Sequence, residues 1–261
     1  MLQRTLSLAA RDDHMTKGGL RSGRVMGVDG CPGGWIAVLR APGGGPAEML
    51  FADRFADLTA LPDVAVIAVD MPIGLPERIG PRGRGPEAAL RPKLGERQSA
   101  VFSVPSRAAV HAADYGEACR AALATSDPPK KVSKQAFFLF PKIREIDALL
   151  RADADLRSRL FECHPEGAFA GMNGGPLLTP KKVKSRPHEP GLADRRRLLA
   201  DVAGFDAAFL GSRPQRGAGA DDLLDACACC WTAERILHGT AILHPAEPET
   251  DAFGLVMAIR T

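Results

Sequence analysis

The sequence predicts an α/β fold: a mixed sheet flanked by helices, with one inserted helical and irregular segment. Three observations predict it. A glycine-punctuated β-hairpin signal covers residues 25–39, a continuous apolar run at 64–69 reads as a strand buried on both faces, and helical periodicity dominates the C-terminal third. The 261 residues, 45% hydrophobic and 25% charged, suffice for one large core.

The first strand is expected at 25–29, followed by a turn at 30–34 and a second strand at 35–39. Glycines supply positive φ and Pro32 fixes its own, which gives the hairpin a mechanism. A turn at 42–46 leads to a third strand at 47–51 and a short helix near 55–60. The run at 64–69 ends on Asp70, and Pro72 and Pro76 forbid its continuation. Residues 77–106, rich in Gly, Pro and Arg, read as irregular. Helices follow at 115–124 and 133–150, with Ser133 as N-cap of the second. A strand at 160–163 stops at His164 and Pro165, and a basic loop carries Lys181, Lys182 and Lys184. Helical patterns return at 192–210 and 221–238, the latter closed by Gly239, before a short strand near 255–259. This gives one domain over 24–261 with an insertion at about 77–150. Residues 1–23 read as a disordered extension, with Met15 or Met26 as alternative starts.

The net charge of +3 is too small to indicate nucleic-acid binding by itself. Its distribution is uneven: residues 78–107 hold seven basic side chains against two acidic ones, a solvated surface or a phosphate contact. Cys227, Cys229 and Cys230 crowd together without a disulfide framework, which suits a reducing compartment. Their buried helix favours a core role over metal or redox chemistry. No apolar run approaches the ~18 residues of a membrane span, and no signal-peptide core is present. The expected location is the cytoplasm.

Asp29 and Asp70 both end apolar strands, where open sheets place ligands. Each alone could cap its own turn. Two carboxylates on neighbouring strand ends repel unless a cation or proton lies between them, and hard oxygens select Mg²⁺ or Mn²⁺. Asp222 and Asp225 share one face at the start of the 221–238 helix, with Asp221 turned away. Acids there favour the helix dipole, but the rest of that helix is apolar nearly all round and therefore buried. An acidic pair at its start is expected to face a cleft. Glu162, His164 and Glu166 alternate, and in an extended chain they share a face, as an added ligand and a proton-transfer group. Lys181 and Lys182, with Arg97 and Arg107, are candidate phosphate contacts. Gly30, Gly33 and Gly34 form a turn through which backbone can approach a ligand, without the Lys-Ser/Thr ending of a P-loop.

Asp29, Asp70 and the Asp222/Asp225 pair together resemble the pattern of RuvC-type resolvases and related RNase H-fold nucleases. The chain is more closely similar to the family called domain of unknown function 429, whose members are predicted RNase H-fold nucleases. The resemblance rests on residues 27–35 (GVDGCPGGW), 70–76 (DMPIGLP), 101–105 (VFSVP), 162–166 (ECHPE), Lys181 and Lys182, and 221–226 (DDLLDA). It implies an RNase H-like fold and a Mg²⁺- or Mn²⁺-dependent nuclease acting on DNA or RNA. Asp29, Asp70, Asp222 and Asp225 would be metal ligands, with Glu162 and His164 beside them. RuvC-type enzymes carry a glutamate where this chain has Asp70. Two alternatives stand beside the nuclease: an ATP-dependent enzyme of the actin-like and sugar-kinase superfold, its phosphates cradled by the glycine hairpin, and a non-catalytic nucleic-acid-binding module.

Overall fold

The computed structural model describes residues 23–261, so all but the last residue of the expected N-terminal extension lies outside the described residues. The first part of the chain forms β1 (Arg24–Cys31), β2 (Gly34–Arg40), β3 (Glu48–Ala52), α1 (Phe55–Thr59) and β4 (Val64–Val69). The insertion forms α2 (Gly85–Leu90), a 3-10 segment (Arg91–Ala100), α3 (Arg107–Val110), α4 (Tyr115–Thr125) and α5 (Lys134–Ala152). Then come α6 (Ala154–Arg157), β5 (Leu160–Glu162), α7 (Pro165–Asn173), and the small hairpin β6 (Lys182–Val183) and β7 (Arg186–Pro187). The chain closes with α8 (Glu189–Asp201), α9 (Ala207–Leu210), α10 (Ala220–Leu237), β8 (Leu243–Thr250) and β9 (Val256–Arg260).

The central sheet has the order β3-β2-β1-β4-β5. The first two strands form the expected hairpin and β3 adds antiparallel to β2, while β4 and β5 run parallel to β1. Strand β4 is buried along its whole length, as its unbroken apolar run requires. Alternation along each strand assigns its side chains to two layers. Met26, Val28, Ile67 and Val69 pack in a core with Phe140, Ile143 and Ile146 of α5. Val25, Val66 and Ala68 pack on the other face with Leu223, Ala226, Cys227 and Cys230 of α10.

Helix α10 lies almost in contact with β1, and Gly27 makes that possible. A Cβ at Gly27 would lie 2.0 Å from the Cys230 nitrogen and 2.1 Å from the Ala226 oxygen. No side chain fits there without moving helix from sheet. The three clustered cysteines of α10 are free and buried among apolar neighbours, as expected of small core residues.

Several expected elements differ. Residues 77–106 contain the ordered α2 and 3-10 segment, because Arg84 and Arg91 tie their backbone down through carboxylates and carbonyls. The expected 192–210 helix is two helices, α8 and α9, separated at Gly204, whose φ of 68° is left-handed. Strand β8 was not expected, since Pro245 and Pro248 interrupt its apolar signal. It forms a two-stranded ribbon with β9 whose register shifts between His244 and Glu249. Among the described residues no helix is long and apolar enough to cross a membrane.

Candidate metal centre

Strand parity sets the geometry of the acidic residues. Asp29 follows Val25 and Gly27 on the α10 side of β1, and Asp70 follows Val66 and Ala68 on the same side of β4. The β1–β4 register pairs Val28 with Val69, and the Asp70 amide donates to the Val28 carbonyl at 2.9 Å. The two acids therefore leave adjacent strands side by side. The close approach of α10 at Gly27 brings its first turns over them. Asp29, Asp70 and Asp225 each offer a carboxylate oxygen, and these three atoms all lie within 4.8 Å of one another.

Asp29 and Asp225 are buried, while Asp70 is partly exposed. Burial raises the pKa of Asp29 well above the carboxylate range, and Asp70 and Asp225 push it further, against the opposing pull of Lys181. Asp70 is raised to about 7 by its desolvated surroundings and by Asp225. One oxygen of Asp29 accepts from the Gly30 amide at 2.7 Å. Oδ1 of Asp225 is buried with no hydrogen-bond partner. Such an orphaned acceptor is costly unless a donor or a cation meets it.

Lys181 supplies positive charge, its Nζ paired with Oδ2 of Asp225. Burial opposes that charge, but Asp225, Asp29 and Asp70 outweigh it and the lysine pKa is raised. Lys182 pairs with Asp221 at 2.6 Å. Both lysines thus sit beside the acids rather than in a free loop, at the base of the β6–β7 hairpin. Lys142 of α5 borders the site from the other side. Its Nζ donates to the Gly34 carbonyl and lies 4.4 Å from the Trp35 ring centre, and Asp29 contributes to its electrostatic environment. Nothing in the local sequence singled Lys142 out, since its relation to Asp29 spans 113 residues of chain.

The remaining candidates lie differently. Asp222 uses Oδ2 to accept from the Gly219 amide at 2.8 Å, closing the N-terminus of α10. Burial raises its pKa to about 6, with the Gly219 bond opposing. It borders the group of three without joining it. Glu162 is buried but faces Arg84, with which it forms an ion pair, and accepts from the Ile73 amide at 2.8 Å. Glu166 does not share an extended face with Glu162 and His164, because Pro165 starts α7 and Glu166 falls in its first turn. There it binds Arg195 through both oxygens at 2.7 and 2.8 Å. His164 is the N-cap residue of α7; burial lowers its pKa to about 4, and its Nδ1 has no partner. Arg107, expected at a phosphate, is buried against Asp147 and Asp251.

The hairpin glycines are packed against the chain itself. A Cβ at Gly33 would lie 2.0 Å from the Arg216 carbonyl oxygen, and one at Gly34 2.3 Å from that of Ala52. At Gly30 it would meet the Lys142 side chain at 2.8 Å. This close packing accounts for Gly33 and Gly34 without a bound phosphate.

The model of a family described as protein of unknown function (DUF429) matches residues 27–250. No curated protein and no solved structure matches the chain.

Proposed function

The chain belongs to the DUF429 family, whose function is unknown, and from the geometry of its carboxylates we propose that it is a Mg²⁺- or Mn²⁺-dependent phosphodiester hydrolase with an RNase H-like fold, acting on nucleic acid. The observation that carries the reading is the convergence of Asp29, Asp70 and Asp225 on one point from two strands and a helix. The strand order, with an antiparallel meander followed by two parallel strands, supports the fold assignment.

The donor set fits the ion. All three ligands are hard carboxylate oxygens on rigid elements, and the orphaned Oδ1 of Asp225 leaves an acceptor for it. Asp29, Asp70 and Asp225 would hold the metal, with Asp222 at the margin. A bound divalent ion supplies an activated water and stabilises the leaving oxygen of a phosphodiester. The chain's own residues do the rest. The pairing of Asp29 with Gly30 and the strand backbone fix the carboxylates before substrate arrives. Lys181, Lys182 and Lys142 surround the acids with cations that offset the repulsion between them and a phosphate.

The nuclease reading is preferred to the kinase-like one because the close packing of Gly33 and Gly34 against the Arg216 and Ala52 carbonyls gives these glycines a structural reason of their own. The decisive assay offers single-stranded, duplex, hybrid and branched nucleic acids with Mg²⁺ or Mn²⁺. Cleavage is expected with at least one of them, reduced by about 10³-fold or more in Asp29→Asn. Cleavage that persists in that variant sinks the proposal. A folded protein that binds no Mn²⁺ by calorimetry would instead be a binding module.

A further inference from the structure

The insertion carries a second concave site that shares no residue with the carboxylate centre. A cavity of about 420 Å³ lies between residues 98–106 and the connection from α4 to α5, within the ~300–1,000 Å³ range of small-molecule pockets. Its walls are mainly apolar, from residues such as Val101, Phe102, Val104 and Val132. Its charged groups are all of one sign: Arg91, Lys130 and Lys131 line it, and no aspartate or glutamate does.

The cations are poised rather than neutralised. Arg91 donates from Nε to the Val101 carbonyl at 3.1 Å, and from one terminal nitrogen to the Phe102 carbonyl and the Ser103 hydroxyl, each at 3.1 Å. These neutral acceptors fix the guanidinium without cancelling its charge. Among the described residues the Lys130 ammonium reaches only the Ser103 hydroxyl, at 3.5 Å. Among the described residues none of the three forms an ion pair with a carboxylate. Elsewhere the basic run behaves in the opposite way, since Arg84 and Arg107 are each paired with two acids.

Several wall hydroxyls are committed to the fold. Ser106 bonds Thr125, Ser126 bonds the Ala122 carbonyl, and Ser133 caps α5. The pocket therefore combines a fixed apolar wall, a half-buried aromatic ring and three cations in its lining. An inorganic anion would leave the apolar wall unused, and an uncharged apolar molecule would leave the cations unused.

We propose that this pocket binds a nucleoside monophosphate group, with the base against Phe102 and the apolar wall and the phosphate at Arg91, Lys130 and Lys131. The group is either a free nucleotide or the phosphorylated end of a strand. The assignment does not depend on the reaction at the carboxylate centre.

The test is calorimetric titration of the full chain in EDTA, so that no metal bridges a phosphate to the acidic cluster. The probes are adenosine 5′-monophosphate, a 5′-phosphorylated dinucleotide, adenosine and inorganic phosphate. Saturable binding of the monophosphate or the dinucleotide is expected. Adenosine and phosphate should each bind more weakly by about tenfold or more. If the dinucleotide binds as well as the mononucleotide, the pocket takes a strand end; if only the mononucleotide binds, it takes a free nucleotide. Lys130 and Lys131 are exposed and can be reversed without disturbing the core. The double variant Lys130→Glu, Lys131→Glu should keep the wild-type circular dichroism and melting curve while losing affinity by about tenfold or more. Wild-type affinity in that variant, equal binding of adenosine and its monophosphate, or no binding of any probe would each overturn the assignment.

Discussion

Two groups of charges lie near the carboxyl ends of neighbouring strands of one sheet and are built on opposite plans. Around Arg84, two carboxylates meet one guanidinium. It binds Glu87 at 2.7 Å, pairs with Glu162, and donates to the carbonyls of Ile73 and Gly74 at 2.8 and 2.9 Å. Burial disfavours the arginine charge, but Glu162 and Glu87 overcome it and its pKa is raised. Arg107 repeats the plan with Asp147 at 2.8 Å and Asp251 at 2.6 Å. Around Asp29, three carboxylates crowd together and a single lysine answers one of them. A planar guanidinium with five donors can saturate two acids, whereas one ammonium cannot saturate three. Charge matched by geometry holds the fold; charge left in excess is what the proposed metal would offset.

That contrast is broken most strongly by removing its two centres. Arg84→Met leaves Glu87 and Glu162 buried without their cation, and should destabilise the protein by about 3–5 kcal/mol. Asp29→Asn relieves repulsion and should raise metal-free stability by about 1 kcal/mol. Urea unfolding of the two variants measures both, and shifts of the same sign would erase the distinction.

A pH series sharpens it. Asp70, raised to about 7, keeps a proton in the native state that the unfolded chain has lost above about pH 4. The native state then binds more protons, so metal-free stability should fall as pH rises from about 4 to about 7, at up to about 1.4 kcal/mol per pH unit for each such group. Urea midpoints at pH 5 and pH 8 in EDTA test this, and Asp70→Asn should flatten the difference. Added Mn²⁺ should reverse the trend, because metal competes with protons for the same oxygens.

A last variant concerns Lys181. It neutralises part of the cluster, so Lys181→Ala should tighten Mn²⁺ binding by about tenfold in calorimetry while lowering metal-free stability. Weaker metal binding in this variant would show that the lysine supports the centre rather than competing for it.

Much of the scaffold was legible in the sequence. The hairpin at β1 and β2, the buried strand β4, the Ser133 cap and the Gly239 stop all follow from local rules, since turn chemistry and periodicity act within a few residues. Asp29 and Asp70 were legible for the same reason, as polar residues ending apolar strands. Glu162 reads as an added ligand because it alternates with His164 and Glu166. Its partner Arg84 lies 78 residues away, in a stretch read as irregular, and no local pattern links them. Within 222–225, both acids occupy the first turns of α10, but one oxygen of Asp222 is taken by the Gly219 amide whereas Oδ1 of Asp225 is left over.

The sequence by itself determined that Asp29 and Asp70 end apolar strands, because apolar runs and the glycine and proline breaks after them are local features. It also determined that α10 would be buried, because its apolar residues run all round. Only the tertiary structure decided which carboxylates share one point and which are neutralised. Electrostatic energy depends on separations through space. Those separations were set by the contact of α10 with Gly27 and by arginines reaching back from the insertion.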